Sequence, residues 1–137
     1  MSSMRMVSQV SRRARILLVD DEEDTVANLA ILLRMSGHEV DVARDGPTAL
    51  RLAEDNPPDV ALLDDGLPGG MDGCEIAQRL QERATDTLPF LIAVTGYGQD
   101  EDRRRCGEAR IHLHLLKPVD PETLNRVLER FKAILGK

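Results

Sequence analysis

Short, nearly continuous apolar runs alternate along this chain with longer segments in which apolar residues recur every three or four positions. The runs are "RILLVD" (15–20), "DVALLD" (59–64), "PFLIAVTG" (89–96) and "IHLHLLKP" (111–118), and "HEVDVAR" (38–44) alternates Val40 and Val42 with polar neighbours. Each has the length and branched-residue content of a strand. Between them, Val26, Leu29, Ala30, Leu32 and Leu33 fall at helical spacing, and Gly37 closes that segment. Ala49, Leu50, Leu52 and Ala53 define a second helix, stopped by Pro57 and Pro58. Ile76, Ala77 and Leu80 define a third, and "QDEDRRRCGEA" reads as a polar fourth with little to bury. A fifth opens on Asp120 as N-cap with Pro121 in first position, then runs through Leu124, Val127, Leu128, Phe131, Ile134 and Leu135. Strand and helix thus alternate five times. Strands apolar on both faces belong to a parallel sheet covered by helices on both sides, so the pattern predicts a doubly wound (βα)5 α/β fold.

Composition narrows the function classes. With 137 residues, 42% apolar and 31% charged, the chain has the size and balance of one globular domain. Residues 1–14 carry no apolar central stretch and read as a flexible tail rather than a signal peptide, leaving 15–137 as the domain. A net charge of −6 and only three aromatic residues argue against nucleic-acid binding by charge or by stacking. The arginine groups at Arg12, Arg13, Arg15 and at Arg103 to Arg105 are short, and solvated faces explain them. No run approaches the ~20 apolar residues of a membrane span. Cys74 and Cys106 lie far apart in sequence, so two reduced thiols and a cytoplasmic location are expected.

The chemistry gathers at the strand ends. Ligands of open α/β sheets sit beyond the carboxyl ends of the strands. The first strand delivers Asp20 and Asp21 there, the third Asp64 and Asp65, the fourth Thr95 and the fifth Lys117. Clustered carboxylates resist joint ionisation unless a cation joins them. Mg²⁺, bound by one or two carboxylates with phosphate oxygens, suits such a set. A lysine suits a phosphoryl oxygen, and an aspartate can be the nucleophile. The set points to phosphoryl transfer. Each residue alone has a plainer explanation: Asp20 as an N-cap, Thr95 as an ordinary strand end, Lys117 as surface. Glu22, Glu23 and Asp24 fit a helix first turn, where acids complement the dipole. His38, His112 and His114 lack metal-ligand spacing.

The segments "LLVDDEED", "PDVALLDDGLPGGMDG", "VTGYG" and "LLKPVDP" together, in this order and spacing, resemble the receiver domains of two-component response regulators. The resemblance covers residues 15–136 and extends to receivers of hybrid sensor histidine kinases. It implies a flavodoxin-like five-stranded sheet of order 2-1-3-4-5. By position it makes Asp64 the phosphoacceptor and Asp21 a direct Mg²⁺ ligand, with Asp20 helping to hold the ion and the backbone carbonyl of Gly66 completing the protein ligands. Thr95 and Lys117 would contact the phosphoryl group, and Pro118 would follow a cis peptide bond. The donor would be a sensor histidine kinase or a histidine phosphotransfer protein. A downstream protein would read the face of the fourth helix, fifth strand and fifth helix. The chain ends after that helix, so the expectation is a monomer or weak dimer without an output domain, free-standing or excised from a hybrid kinase.

Three positions depart from the receiver pattern. His114 stands where a switching Tyr or Phe is usual, Arg110 where Gly is common, and "PGGMDG" is one residue longer than the commonest turn. Asp65 also replaces a usual apolar residue. These departures keep alive a pseudo-receiver, an interaction module never phosphorylated. A Mg²⁺-dependent aspartyl-phosphate phosphatase of the haloacid dehalogenase type is the enzymatic rival. It needs an acid two residues after its nucleophile, and here Gly66 occupies that position.

Overall fold

Five parallel strands form one sheet in the order β2-β1-β3-β4-β5. The computed structural model describes residues 14–64, 73–83, 89–95, 111–117 and 119–135. The strands are β1 (Arg15–Val19), β2 (Glu39–Ala43), β3 (Val60–Asp64), β4 (Phe90–Thr95) and β5 (Leu113–Leu116). The described helices are α1 (Glu23–Met35), α2 (Gly46–Asp55), α3 (Gly73–Arg83) and α4 (Pro121–Leu135). The polar fourth helix of the sequence pattern, Arg110 and the "PGGMDG" turn lie outside the described residues. All five predicted strands and four of the predicted helices therefore stand where the apolar periodicity puts them.

Period-two alternation splits the core between the two faces of the sheet. Ile16, Leu18, Val60, Leu62, Ile92 and Val94 pack with Val26, Ala30 and Leu33 of α1 and Leu124 and Leu128 of α4. The intervening Leu17, Val19, Ala61, Leu63 and Leu91 pack with Ala49 and Leu50 of α2 and Ile76, Ala77 and Leu80 of α3. The register pairs Val19 of β1 with Leu63 of β3, which brings the carboxyl ends of these strands level.

Local signals set the boundaries. Asp45 caps α2 by accepting from the Thr48 backbone N–H at 2.8 Å, with proline in the first turn. Asp120 does the same for α4 through Thr123, at 3.3 Å. Gly37, at φ 98°, ends α1. Its N–H donates to the Arg34 carbonyl and that of His38 to the Leu33 carbonyl, the paired bonds of a left-handed helix terminus. His38 is then buried, with Nδ1 accepting from the Ala14 N–H at 3.2 Å.

Two expectations change. The spacing put Leu32 on the buried stripe of α1, yet it is 43% exposed, beside Ile31 at 53% and Met35 at 78%. Five apolar positions span more of the helix circumference than the sheet covers, and Leu32 falls past the edge. Cys74, at the start of α3, is disulfide-bonded rather than reduced. Distance along the chain, which argued against a bridge, does not measure separation in space. No described helix is long and apolar enough to cross a membrane.

Candidate functional site

β1 and β3 are neighbours whose chain connections leave in opposite directions, so a crevice opens between their carboxyl ends. Asp20 follows the last residue of β1 and Asp64 is the last residue of β3. Both side chains continue the face that carries Leu18 and Leu62. Asp64 is 3% exposed, a buried carboxylate at the edge of an apolar core. Lys117, immediately after β5, reaches across β4 and places Nζ 3.0 Å from Asp64 Oδ1. One ligand atom from each of Asp20, Asp21 and Asp64 lies within 4.8 Å of the others.

The backbone holds this cluster in place. The Asp20 N–H donates to the Ala43 carbonyl on β2 at 3.1 Å. Asp20 Oδ1 accepts from the Glu22 N–H at 2.9 Å. The turn reading of Asp20 and the cation reading are therefore compatible, because the residue that orients the chain also keeps a ligand atom within 4.8 Å of those of Asp21 and Asp64. Burial pushes the Asp20 carboxyl above the ordinary aspartate range, the Glu22 N–H pulls it back, and the Asp64 charge pushes it up again. For Lys117, burial works against the charge, but the hydrogen bond and the charge of Asp64, then Asp20 and Glu22, outweigh it and raise the ammonium pKa. One lysine does not neutralise three carboxylates. The donor set is hard, anionic and oxygen-only, which fits Mg²⁺.

The structure thus brings together Asp20, Asp21, Asp64 and Lys117. Thr95 ends β4 and pairs in register with Leu116, the residue before Lys117. His114 lies on β5 opposite Ala93 and is half-buried. Leu113 and Leu115 pack on the α1 and α4 side, so alternation turns His114 to the other face. Gly66, Asp65 and Pro118 lie outside the described residues. Glu22 is the residue that sequence reasoning undervalued. The acidic run suggests only a helix-dipole role for it, yet it sits at the N-cap of α1, and its charge acts on Lys117. Its place one residue beyond Asp21 was the available signal.

Comparison with known proteins agrees with this geometry. The family model for the response regulator receiver domain matches residues 16–129. Response regulator PleD of Caulobacter vibrioides is 38% identical over 127 residues, 90% of this chain, of which the chain spans 28%. Protein PilH of Pseudomonas aeruginosa is 36% identical over 124 residues, covering 90% of this chain and 98% of PilH. Among solved structures, the receiver domain of sensor histidine kinase PA1611 from Pseudomonas aeruginosa, with a magnesium ion coordinated in its active-site cleft, aligns at TM-score 0.77 and 30% identity. That alignment covers 88% of this chain and 98% of that one. The chemotaxis protein CheY4 of Vibrio cholerae aligns at TM-score 0.79 and 28% identity, covering 87% and 98%. A family match over most of the chain, the 2-1-3-4-5 sheet and an acidic cluster at its switch point lead to one conclusion: this chain belongs to the response regulator receiver domain family of two-component signal transduction.

Proposed function

We propose that Asp64 accepts a phosphoryl group from a phosphohistidine on a sensor kinase or phosphotransfer protein, and that the aspartyl phosphate regulates a protein contact. The observation that carries this reading is the Lys117–Asp64 pair at 3.0 Å inside a three-carboxylate cluster. An Asp64 oxygen attacks phosphorus, and the bond from phosphorus to the imidazole nitrogen breaks with its electron pair leaving on the ring. Asp64 is buried and fixed, so little reorganisation is needed at the moment of attack. Lys117 is already directed at Asp64 and meets the charge of the incoming phosphoryl oxygens. Thr95 donates a hydrogen bond to the same group. Asp20, Asp21 and Asp64, with the Gly66 carbonyl, would hold Mg²⁺, which supplies charge neutralisation of the phosphoryl oxygens when bound.

The domain begins at Ala14, which is buried and hydrogen-bonded to His38, one residue before the boundary read from the sequence, and runs to 137. It acts as a cytoplasmic signalling domain whose only chemistry is its own phosphorylation and dephosphorylation. The chain spans 28% of PleD, so the output of that longer protein is not carried over. The downstream contact is the face built around β5 and α4.

Acetyl phosphate with Mg²⁺, followed by intact mass, tests the assignment. Wild type should gain one phosphoryl group and Asp64→Asn none, while Asp65→Asn should still be labelled. Equal labelling of wild type and Asp64→Asn would refute it. Failure of wild type with every donor would favour the pseudo-receiver.

A further inference from the structure

We propose that His112, at the end of the sheet far from the site, is a positioning residue: it fixes the register of β5 on β4 and so sets Lys117 against Asp64. This rests on the reading of Asp64 as phosphoacceptor and names what governs the reach of its lysine. His112 stands five residues before Lys117, about 16 Å away along an extended strand.

β5 needs such a device. It has four residues and lies at the edge of the sheet. Leu113 and Leu115 pack on the α1 and α4 side, while Leu116 is 55% exposed. A slip by one residue exchanges the two faces of a strand. Here it would carry His114 and Leu116 onto the α1 and α4 side and turn Lys117 to the other face, away from Asp64. The net change on the packed face is one leucine exchanged for His114. The apolar pattern of β5 therefore specifies its register only weakly.

His112 supplies what the pattern lacks. Its N–H donates to the Leu91 carbonyl at 2.9 Å, and its Nδ1 accepts from the Leu91 N–H at 2.9 Å. In a regular parallel ladder these two groups of Leu91 would bond to different residues of the neighbouring strand. Here one residue satisfies both. Leu91 is fully buried, so its N–H has no water to turn to. The imidazole also stacks on Phe90, with ring centroids 5.1 Å apart and planes inclined by 15°. These contacts tie His112 to one place on β4, just before the first ladder pair, Ile92 with Leu113. The alternation of faces reverses at the same point. Ile111 packs on the α2 and α3 side, and Leu113, two positions later, on the opposite one. From this clasp the ladder runs to Thr95 with Leu116, and Lys117 follows with Nζ 3.0 Å from Asp64 Oδ1. The opposite edge of the sheet has a similar clasp without the chemistry. His38 Nδ1 accepts from the Ala14 N–H at 3.2 Å, and the Glu39 N–H donates to the Ala14 carbonyl at 3.0 Å. β2 sends no side chain to the site, which makes His38 the control.

Variants of the full chain test this. Asn places Oδ1 where His112 has Nδ1, whereas Phe keeps the ring and loses the acceptor. Interstrand NOE contacts between Thr95 and Leu116 should persist in His112→Asn and shift or vanish in His112→Phe. With Mg²⁺ and phosphoramidate, His112→Phe should be labelled roughly tenfold to a hundredfold more slowly than wild type, the cost of a misplacement near 1 Å. His112→Asn should restore most of the rate. In a Lys117→Ala background neither substitution should change the rate further, because the group through which they act is gone. His38→Phe should lower the melting temperature and leave labelling almost unchanged. The proposal is overturned if His112→Phe melts lower but labels as wild type does, if it slows labelling equally with and without Lys117, or if His38→Phe slows it as much. Should His112→Phe fail to fold, His112→Gln replaces it. Its oxygen sits one bond further out, and labelling equal to that of His112→Asn would overturn the proposal. If no donor labels wild type, the phosphoacceptor reading falls and the NOE contacts decide the register role alone: unchanged contacts in His112→Phe refute it, and displaced ones uphold it.

Discussion

At the scale of single residues, the site holds more negative charge than its own lysine balances, and this has measurable consequences. The folded state raises the Asp20 carboxyl pKa through burial and the Asp64 charge. A carboxyl raised above its unfolded value, about 3.9, favours folding below that pH, and the contribution is lost as pH rises through the folded value. Ionised Asp20 therefore costs stability at neutral pH unless a cation is present. Asp20→Asn keeps the oxygen that accepts from the Glu22 N–H and removes the charge. It should melt higher than wild type at pH 7 in chelator, with the gain shrinking below pH 4, and calorimetry at the two pH values reads this. Asp21 is the exposed member of the cluster. Asp21→Ala should weaken Mg²⁺ binding by roughly tenfold or more, judged from what even outer-shell changes cost at metal sites. Glu22→Ala leaves the three clustered carboxylates in place and should bind Mg²⁺ nearly as wild type does in a calorimetric titration. Equal losses would mean that the acidic run attracts cations only diffusely. Asp20, Asp21, Asp64 and Lys117 were legible as a set because strand ends are readable from apolar runs, and the fold sends all those ends to one rim. The clasp of His112 on Leu91 was not legible, since the sequence places an imidazole before β5 but not the backbone N–H that faces it.

At the scale of elements, boundaries were readable where backbone chemistry forces them and unreadable where only packing decides. Gly37 stopped α1 on both counts, since its φ of 98° is one that side chains with a Cβ rarely adopt. Nothing lies within 4 Å of an added Cβ there, so Gly37→Ala isolates the backbone cost. It should destabilise by about 1–2 kcal/mol in urea titration with an unchanged m-value. The inner and outer sides of α1 make the complementary case. Leu33 is fully buried and Leu32 is 43% exposed. Leu33→Ala should cost about 2–5 kcal/mol. Leu32→Ala should stay within about 0.5 kcal/mol, as surface changes do. Periodicity alone ranked these neighbours equally, because a helical pattern reports an apolar arc and not where its partner ends. The disulfide at Cys74 escaped for a related reason: it depends on a spatial approach that no local pattern encodes.

At the scale of the whole molecule, burial is unequal across the sheet, and this locates where a signal can travel. β3 is buried at every position, including Asp64. β5, at the sheet edge, has three half-buried residues and an exposed Leu116. Segments with few buried apolar contacts open at lower free energy. Lys117 directly follows β5 and pairs with Asp64 on β3, so the proposed phosphoacceptor is tied to the least buried strand. When Asp64 is modified, that lysine must meet a phosphoryl oxygen instead of a bare carboxylate, and the end of β5 adjusts. His114 lies three residues earlier on the same strand, on the face away from α1 and α4. An imidazole ring is planar and able to take the place of a moving aromatic ring. Adding beryllofluoride and Mg²⁺, as a phosphoryl mimic, should therefore change amide exchange in residues 113–116 and leave that of residues 16–19 nearly unaltered. The His114 ring signals should shift, with occupancy of Asp64 checked by fluorine NMR. Equal changes in β1 and β5 would show a global tightening rather than a directed one. An unmoved His114 with altered β5 exchange would assign the response to the strand backbone and exclude the ring from the switch.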